Sequence, residues 1–188
     1  MGNGLRFDYL TFDEEYGKVP AFFYELDRLG QKAIGEVPSN FRVWVKPPAC
    51  KTFRGEQASR RVDNIASHSP AFYGQPWQEI TIKETTRGPC VWQVKSAQVH
   101  LVKKQDGKSH CPIPTDRRYW LIVAQNKKTG ETKYFVSNAP AKESLQTLLE
   151  VAFSRWHVEK WFERAKQECG LGAFEVRTYQ SLIRHWLA

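Results

Sequence analysis

The stretch LRFDYLTFDEEYGKVPAFFYELDRLGQKAIGEVPSNFRVWV (residues 5–45) carries the pattern that decides the fold class. Alternating residues over 5–12 predict a strand, which ends on an acidic run that begins at Asp13. After Pro20, apolar residues at helical spacing predict an amphipathic helix, and Gly30 provides its C′ stop. Further short strands are predicted at 33–37 and 41–45. This order predicts an α/β unit whose first strand delivers a carboxylate at its C-terminal end.

The middle of the sequence has a different pattern. Prolines, basic residues and weak periodicity predict a long loop over 46–76 with one short helix near 58–65. Strands are then predicted at 79–85, 91–102, 119–125 and 133–137. The last two are joined by a turn at 126–130 that is typical of a hairpin. We therefore predict a mostly antiparallel, β-rich insertion over 46–138, packed beside the α/β unit and not within its sheet.

Helical periodicity returns near the end of the chain. A long helix is predicted over 142–168, and a second one from about residue 176. The domain assignment is then an α/β segment at 1–45, the loop and β-rich insertion at 46–138, and C-terminal helices at 139–188. Both ends of the sequence lack the polar, flexible character of a natural boundary, so the chain is expected to be cut from a longer domain.

Charge and composition limit the classes of function. The chain has 28 Lys and Arg against 20 Asp and Glu, a net charge of +8 that favours a polyanionic partner such as nucleic acid. The four cysteines form no CxxC pair, which argues against a zinc ribbon or a redox motif. A membrane span and a signal peptide are not predicted, so a cytoplasmic protein is expected. Phosphate-binding Gly-rich loops and a GxSxG motif are also missing from the sequence.

One face of the predicted long helix combines charges of both signs. Arg155, Glu159 and Lys166 fall within about 40° of each other, which places one carboxylate between two cations. An ordinary solvated face with i,i+4 pairs worth about 0.2–0.5 kcal/mol each would show the same spacing. Asp13 has a similar alternative, because acidic residues at strand ends often cap turns or helices. The spacing leaves both interpretations open.

The sequence around these residues resembles a known family. The segment RWHVEKWFERAKQECGLGAFEVRTYQSLIRH (155–185) looks like the C-terminal catalytic signature of DDE transposases from bacterial insertion sequences, in the branch marked by Tyr-x2-Arg-x3-Glu-x6-Lys. Arg155, Glu159 and Lys166 match the last three positions, while Ala152 stands at the tyrosine position. The segment 11–44 is similar to the family segment around the second acidic residue, which Asp13 matches.

The resemblance implies a fold and a chemistry. The fold would be α/β, a partial RNase H-like catalytic domain with a β-rich insertion and C-terminal helices. Asp13 and Glu159 would be the second and third acidic residues, which hold two Mg²⁺ or Mn²⁺ ions in the intact site. Their carboxylates are then expected on the order of 4–8 Å apart. The first acidic residue of the family lies on an earlier strand, upstream of this sequence.

The resemblance also implies partners and a function. Arg155 and Lys166 would contact phosphates of the transposon end, and the active complex would be a homodimer bound to transposon ends and target DNA. The expected function is metal-dependent DNA cleavage and strand transfer in a bacterial cytoplasm, with this chain a truncated, inactive fragment. The alternative is a catalytically dead, basic DNA-binding module.

Other residues suit DNA binding with less specificity. Candidates for nonspecific phosphate contacts are Lys127, Lys128, Arg60 and Arg61, for which charges that only promote solubility are an equal alternative. Three tryptophans of the β-rich block could stack on a displaced base, a contact worth about 1–3 kcal/mol: Trp77, Trp92 and Trp120. Core packing of the same tryptophans is the alternative interpretation.

Overall fold

The computed structural model describes residues 7–46, 59–83, 89–103, 113–168, 180 and 183. The chain divides into two compact units, Met1–Ala152 and Phe153–Ala188, and each is described by itself. The first unit opens with β1 (Tyr9–Phe12), α1 (Glu14–Gly17), α2 (Pro20–Arg28), β2 (Lys32–Val37) and β3 (Arg42–Trp44). It continues with β4 (Arg60–Arg61), α3 (Val62–His68), α4 (Pro70–Tyr73), β5 (Gln78–Lys83), β6 (Cys90–Lys103), β7 (Ile113–Pro114), β8 (Tyr119–Asn126) and β9 (Thr132–Ser137).

The last element is α5 (Leu145–Glu168), which runs from the first unit into the second. The predicted start near residue 142 is three residues too early. Ser144 forms the actual boundary, because its hydroxyl oxygen accepts a hydrogen bond from the backbone N–H of Thr147 at 3.0 Å. The second predicted helix, from about residue 176, lies largely outside the described residues.

The α/β segment at the start of the chain has the predicted order of strand, helix and strand. Pro20 occupies the first turn of α2, and Gly30 follows its end with a φ of +70°, so the predicted start and stop signals are confirmed. β1 and β2 pair in parallel, with Phe12 opposite Gly35. A parallel pair needs a crossover connection, and α1 and α2 together supply it.

The described strands form one sheet of nine strands, in the order β1-β2-β9-β8-β6-β3-β4, with β5 and β7 also paired to β6. β9 pairs antiparallel to β2, with Val136 opposite Gly35. The prediction that 46–138 packs beside the α/β unit and not within its sheet is therefore wrong, although its mostly antiparallel pairing is confirmed. The hairpin at 126–130 is confirmed as well, with Gly130 at a φ of +73°.

β9 lies within the sheet because side chains on both of its faces must be buried. Phe135 and Val136 point to opposite faces and are 3% and 0% exposed, which suits a central strand better than a strand with one solvated face. Asn138, just after β9, stabilises the pairing of β9 with β2. Its side chain accepts from the Ala33 N–H at 2.7 Å and donates to the Gln31 carbonyl at 2.8 Å.

The main apolar core lies on one face of this sheet. It joins α2, α3 and α4 to the sheet through buried side chains that include Phe23, Ile65, Phe72, Leu101 and Leu121. The opposite face carries the buried Ile34 and Ile122. Leu148 and Leu149 in the first turns of α5 are fully buried, and Gln146 donates to the Thr81 carbonyl of β5 at 3.2 Å. We infer that α5 begins over this second face.

Candidate metal site and nucleic-acid interface

Asp13 stands where β1 ends and α1 begins, as the strand pattern predicts. It is the N-cap of α1, and its Oδ1 accepts from the backbone N–H groups of Glu15 at 3.1 Å and Tyr16 at 3.4 Å. The side chain is half-buried. The capping role named as the alternative is therefore present. A carboxylate oriented by backbone donors at a strand end also has the placement that a metal ligand needs.

A polar cluster ties the start of β1 to the rest of the first unit. The Tyr9 hydroxyl donates to Glu143 Oε2 at 2.6 Å, and Lys32 Nζ lies 3.5 Å from the same oxygen. The hydrogen bond from Tyr9, followed by the Lys32 charge, lowers the pKa of Glu143 below its ordinary value. Burial, followed by the bond to Glu143, raises the pKa of Tyr9. This cluster anchors the strand that ends at Asp13.

Glu159 lies in the part of α5 that belongs to the second unit. Its side chain is outside the described residues, so its expected 4–8 Å approach to Asp13 stays a prediction. Arg155 is half-buried and Lys166 is exposed in the last turn of α5. Trp161 and Phe162 are also exposed, at 62% and 47%, with ring centroids 5.3 Å apart.

The described residues include a side chain of the type that a Mg²⁺ site needs, but they do not supply enough ligands for such a site. Asp13 offers the hard carboxylate oxygen that Mg²⁺ prefers. Among the described side chains, however, no group of three or more His, Cys, Asp or Glu residues converges where an ion could be held. The described part of the chain therefore supplies one of the two expected carboxylates.

The basic candidates of the first unit are exposed, and ion pairs are seen for Arg61 and Lys127. Arg61 binds Asp63 through Nε at 3.1 Å and Nη2 at 2.5 Å, and Lys127 Nζ lies 2.7 Å from Glu79 Oε1. Exposed pairs are worth about 0–1 kcal/mol, so a phosphate could displace either carboxylate at low cost. The remaining candidates, Arg60 and Lys128, are exposed as well.

The three tryptophans differ in exposure. Trp92 is 4% exposed and packs in the core, so the stacking interpretation is wrong for it and the core-packing alternative holds. Trp120 is half-buried, and its Nε1 donates to the Pro140 carbonyl at 3.1 Å. Trp77 is 40% exposed, more than either of the other two, so part of its ring is open to solvent.

Trp77, Lys95 and the exposed Tyr73 form what we call the Trp77 surface, and no sequence motif marks Tyr73 or Lys95. Lys95 Nζ lies 4.7 Å from the centre of the Trp77 ring and donates to the Phe72 carbonyl at 3.0 Å. Tyr73 is 78% exposed. An exposed aromatic ring beside a cation, as Trp77 is beside Lys95, is an element from which single-stranded nucleic acid sites are built. Lys95 lies on β6 and Trp77 directly precedes β5. Their proximity therefore depends on the pairing of β5 with β6, which the sequence alone does not show.

The fold and these residues define a mixed α/β domain with a carboxylate at the end of a parallel strand and basic residues on its surface. A family model described as "Transposase DDE domain" matches residues 3–188. The chain therefore belongs to the transposase DDE domain family, and the resemblance to DDE transposases is confirmed at the level of this family. No curated protein matches the chain. DDE transposases generally use divalent metal ions such as Mg²⁺ and act on DNA. None of the described helices is long and apolar enough to span a membrane.

Proposed function

We propose that this protein acts in DNA transposition and supplies the second and third acidic residues of a centre for metal-dependent strand cleavage and strand transfer. The observation that carries the proposal is the match of nearly the whole chain to the family, together with Asp13 at the C-terminal end of a parallel strand. The parallel pairing of β1 with β2, which are connected through α1 and α2, supports an RNase H-like core. Within it, 1–45 would carry the second acidic residue and 139–188 the third, with 46–138 as the β-rich insertion of the Tyr-Arg-Glu-Lys branch.

The proposed metal ligands are Asp13 and Glu159. Divalent ions, when bound, stabilise the attacking and leaving oxygens of an in-line displacement at phosphorus. Asp13 is suited to its role because backbone donors hold one of its oxygens. In α5, Arg155 and Lys166 would hold phosphates of the DNA end, since the two cations flank Glu159 at spacings of four and seven residues.

The DNA interface of the first unit is proposed to include the Trp77 surface and the exposed cations of the β-rich block. Trp77 would stack on an unpaired base while Lys95 faces the sugar-phosphate backbone. Candidates for sequence-independent phosphate contacts are Arg60, Arg61, Lys127 and Lys128. The active complex is proposed to be a homodimer on DNA in a bacterial cytoplasm.

Two measurements on the full chain test this function. The first is duplex DNA binding at several salt concentrations, where the affinity should fall steeply as salt rises because counterions are released. The second is Mn²⁺ binding, which should depend on Asp13 and Glu159. A chain that binds DNA but holds Mn²⁺ equally well without Asp13 would be a DNA-binding module and not a nuclease.

A further inference from the structure

Gly17, the last residue of α1, lies against the backbone of β2. A Cβ added at this position would lie 1.8 Å from the Glu36 carbonyl oxygen and 2.9 Å from its carbonyl carbon. Real Cβ atoms do not approach backbone atoms so closely, so only glycine fits here. Gly17 therefore sets how closely α1 can approach the sheet.

The sheet cannot easily move away from a larger residue at this position. Glu36 belongs to β2, which pairs with β1 on one side and β9 on the other. The Glu36 side chain is also bound to Lys133 of β9 at 2.8 Å. Glu36 is paired with Phe135 of β9 and directly follows Gly35, the last residue of β2 that is paired with β1. Moving the Glu36 carbonyl would strain this part of the sheet, so a side chain at position 17 would displace α1.

Displacement of α1 would reach Asp13 directly. The Gly17 N–H donates to the Asp13 carbonyl at 2.9 Å, and the Glu15 and Tyr16 N–H groups of α1 bind Asp13 Oδ1. Backbone and carboxylate of Asp13 are thus both held by α1. We propose that Gly17 is a positioning residue for the Asp13 carboxylate, acting through its contact with the Glu36 carbonyl. This inference rests on the proposed role of Asp13 as a metal ligand.

The test is Mn²⁺ titration of the isotope-labelled full chain, followed by paramagnetic broadening of the Glu15 and Tyr16 amide signals. Mg²⁺ serves as the diamagnetic control. In the unmodified protein both signals should broaden, and Asp13→Asn should abolish the effect. Gly17→Ala should require about tenfold more Mn²⁺ for equal broadening, the scale of effect seen when supporting residues of metal ligands are changed.

Val62→Ala is the control for a merely structural role. Val62 is fully buried on α3, so its truncation lowers stability and should leave the Mn²⁺ requirement unchanged. If Asp13→Asn abolishes broadening while Gly17→Ala matches the unmodified protein, the positioning role is refuted and the role of Asp13 stands. If Asp13→Asn changes nothing, the metal role of Asp13 fails, and the positioning role fails with it.

A second variant covers the case in which Gly17→Ala does not fold. Glu15→Pro removes the N–H that binds Asp13 Oδ1 at 3.1 Å, at an exposed position in the first turn of α1 where proline is tolerated. The Tyr16 signal should then also require about tenfold more Mn²⁺. An unchanged requirement would show that α1 does not position Asp13 and would overturn the proposal.

Discussion

Asp13 is held by the backbone of its own helix, whereas Trp77 is held at the surface beside a lysine side chain. The Asp13 carboxylate accepts hydrogen bonds from N–H groups of α1. Gly17 at the end of α1 in turn lies against the Glu36 carbonyl of β2, a strand that is paired on both sides. Beside Trp77, the cation of Lys95 lies 4.7 Å from the ring centre and donates to the Phe72 carbonyl. Substitution near Asp13 should therefore change folding and the candidate metal site together, while substitution near Trp77 should change DNA binding alone.

The largest effect expected is a stability difference between two tryptophans of the same β-rich block. Trp92→Ala should lower the free energy of unfolding by about 3–5 kcal/mol, because its ring is buried and its removal leaves a cavity. Trp77→Ala should cost clearly less than Trp92→Ala, since 40% of the Trp77 side chain is already exposed. Urea denaturation of both variants measures the difference. Equal losses would contradict the division into a core tryptophan and a surface tryptophan.

The next effect is the cost of a methyl group beside the Glu36 carbonyl. Gly17→Ala should destabilise the protein by about 1–3 kcal/mol through overpacking. Gly74→Ala is the matched control, because its added Cβ would lie at an ordinary 3.5 Å from the Pro70 carbonyl oxygen. It should stay within about 1 kcal/mol of the unmodified protein. Similar behaviour of the two variants in thermal unfolding would mean that α1 is free to shift.

A third effect concerns binding. Trp77→Ala should weaken single-stranded DNA binding by about 1–3 kcal/mol and leave duplex binding nearly unchanged, because only unpaired bases can stack on the ring. Fluorescence anisotropy with labelled oligonucleotides measures both affinities. Trp77→Phe provides the matched control, because it keeps an aromatic ring at the same site and should retain most of the single-strand affinity. A uniform loss for single strands and duplex alike would show that the Trp77 surface contacts backbone phosphates only.

The smallest effect is a pH dependence at the start of β1. The pKa of Glu143 is lowered in the folded protein, first by the Tyr9 hydrogen bond and then by Lys32, from an ordinary value of 4.5. The resulting stabilisation is present above the unfolded value and is lost as pH falls through the lower, folded value. Tyr9→Phe should thus destabilise the protein at pH 7, by an amount that shrinks below about pH 4.5. A loss that is constant down to pH 3 would argue against this linkage.

Local signals were predictable from the sequence. Pro20 and Gly30 mark the ends of α2, and the turn at 126–130 follows from Asn126, whose Oδ1 accepts from the N–H groups of Lys128 and Thr129 at 2.9 and 3.1 Å. Each of these features is decided by residues close together in the chain. The location of Asp13 at a strand end was predictable for the same reason.

Features set by distant residues were not predictable in the same way. The pairing of β9 with β2 depends on Asn138 and on burial of both faces, which alternation within one strand does not reveal. For the same reason the sequence could not separate the buried Trp92 from the exposed Trp77. The Gly17 contact with Glu36 joins residues 19 apart in sequence, and no local pattern marks it.

The most direct measurement of the central claim is Mn²⁺ affinity, followed by the electron paramagnetic resonance signal of free Mn²⁺. The full chain is compared with Asp13→Asn, Glu159→Gln and the control Glu163→Gln, which changes an exposed carboxylate of α5. If Asp13 and Glu159 are the metal ligands of a transposase centre, their variants should each bind Mn²⁺ about tenfold more weakly or worse, and the control should match the unmodified protein. Equal affinities for all four proteins would contradict the assignment of both residues.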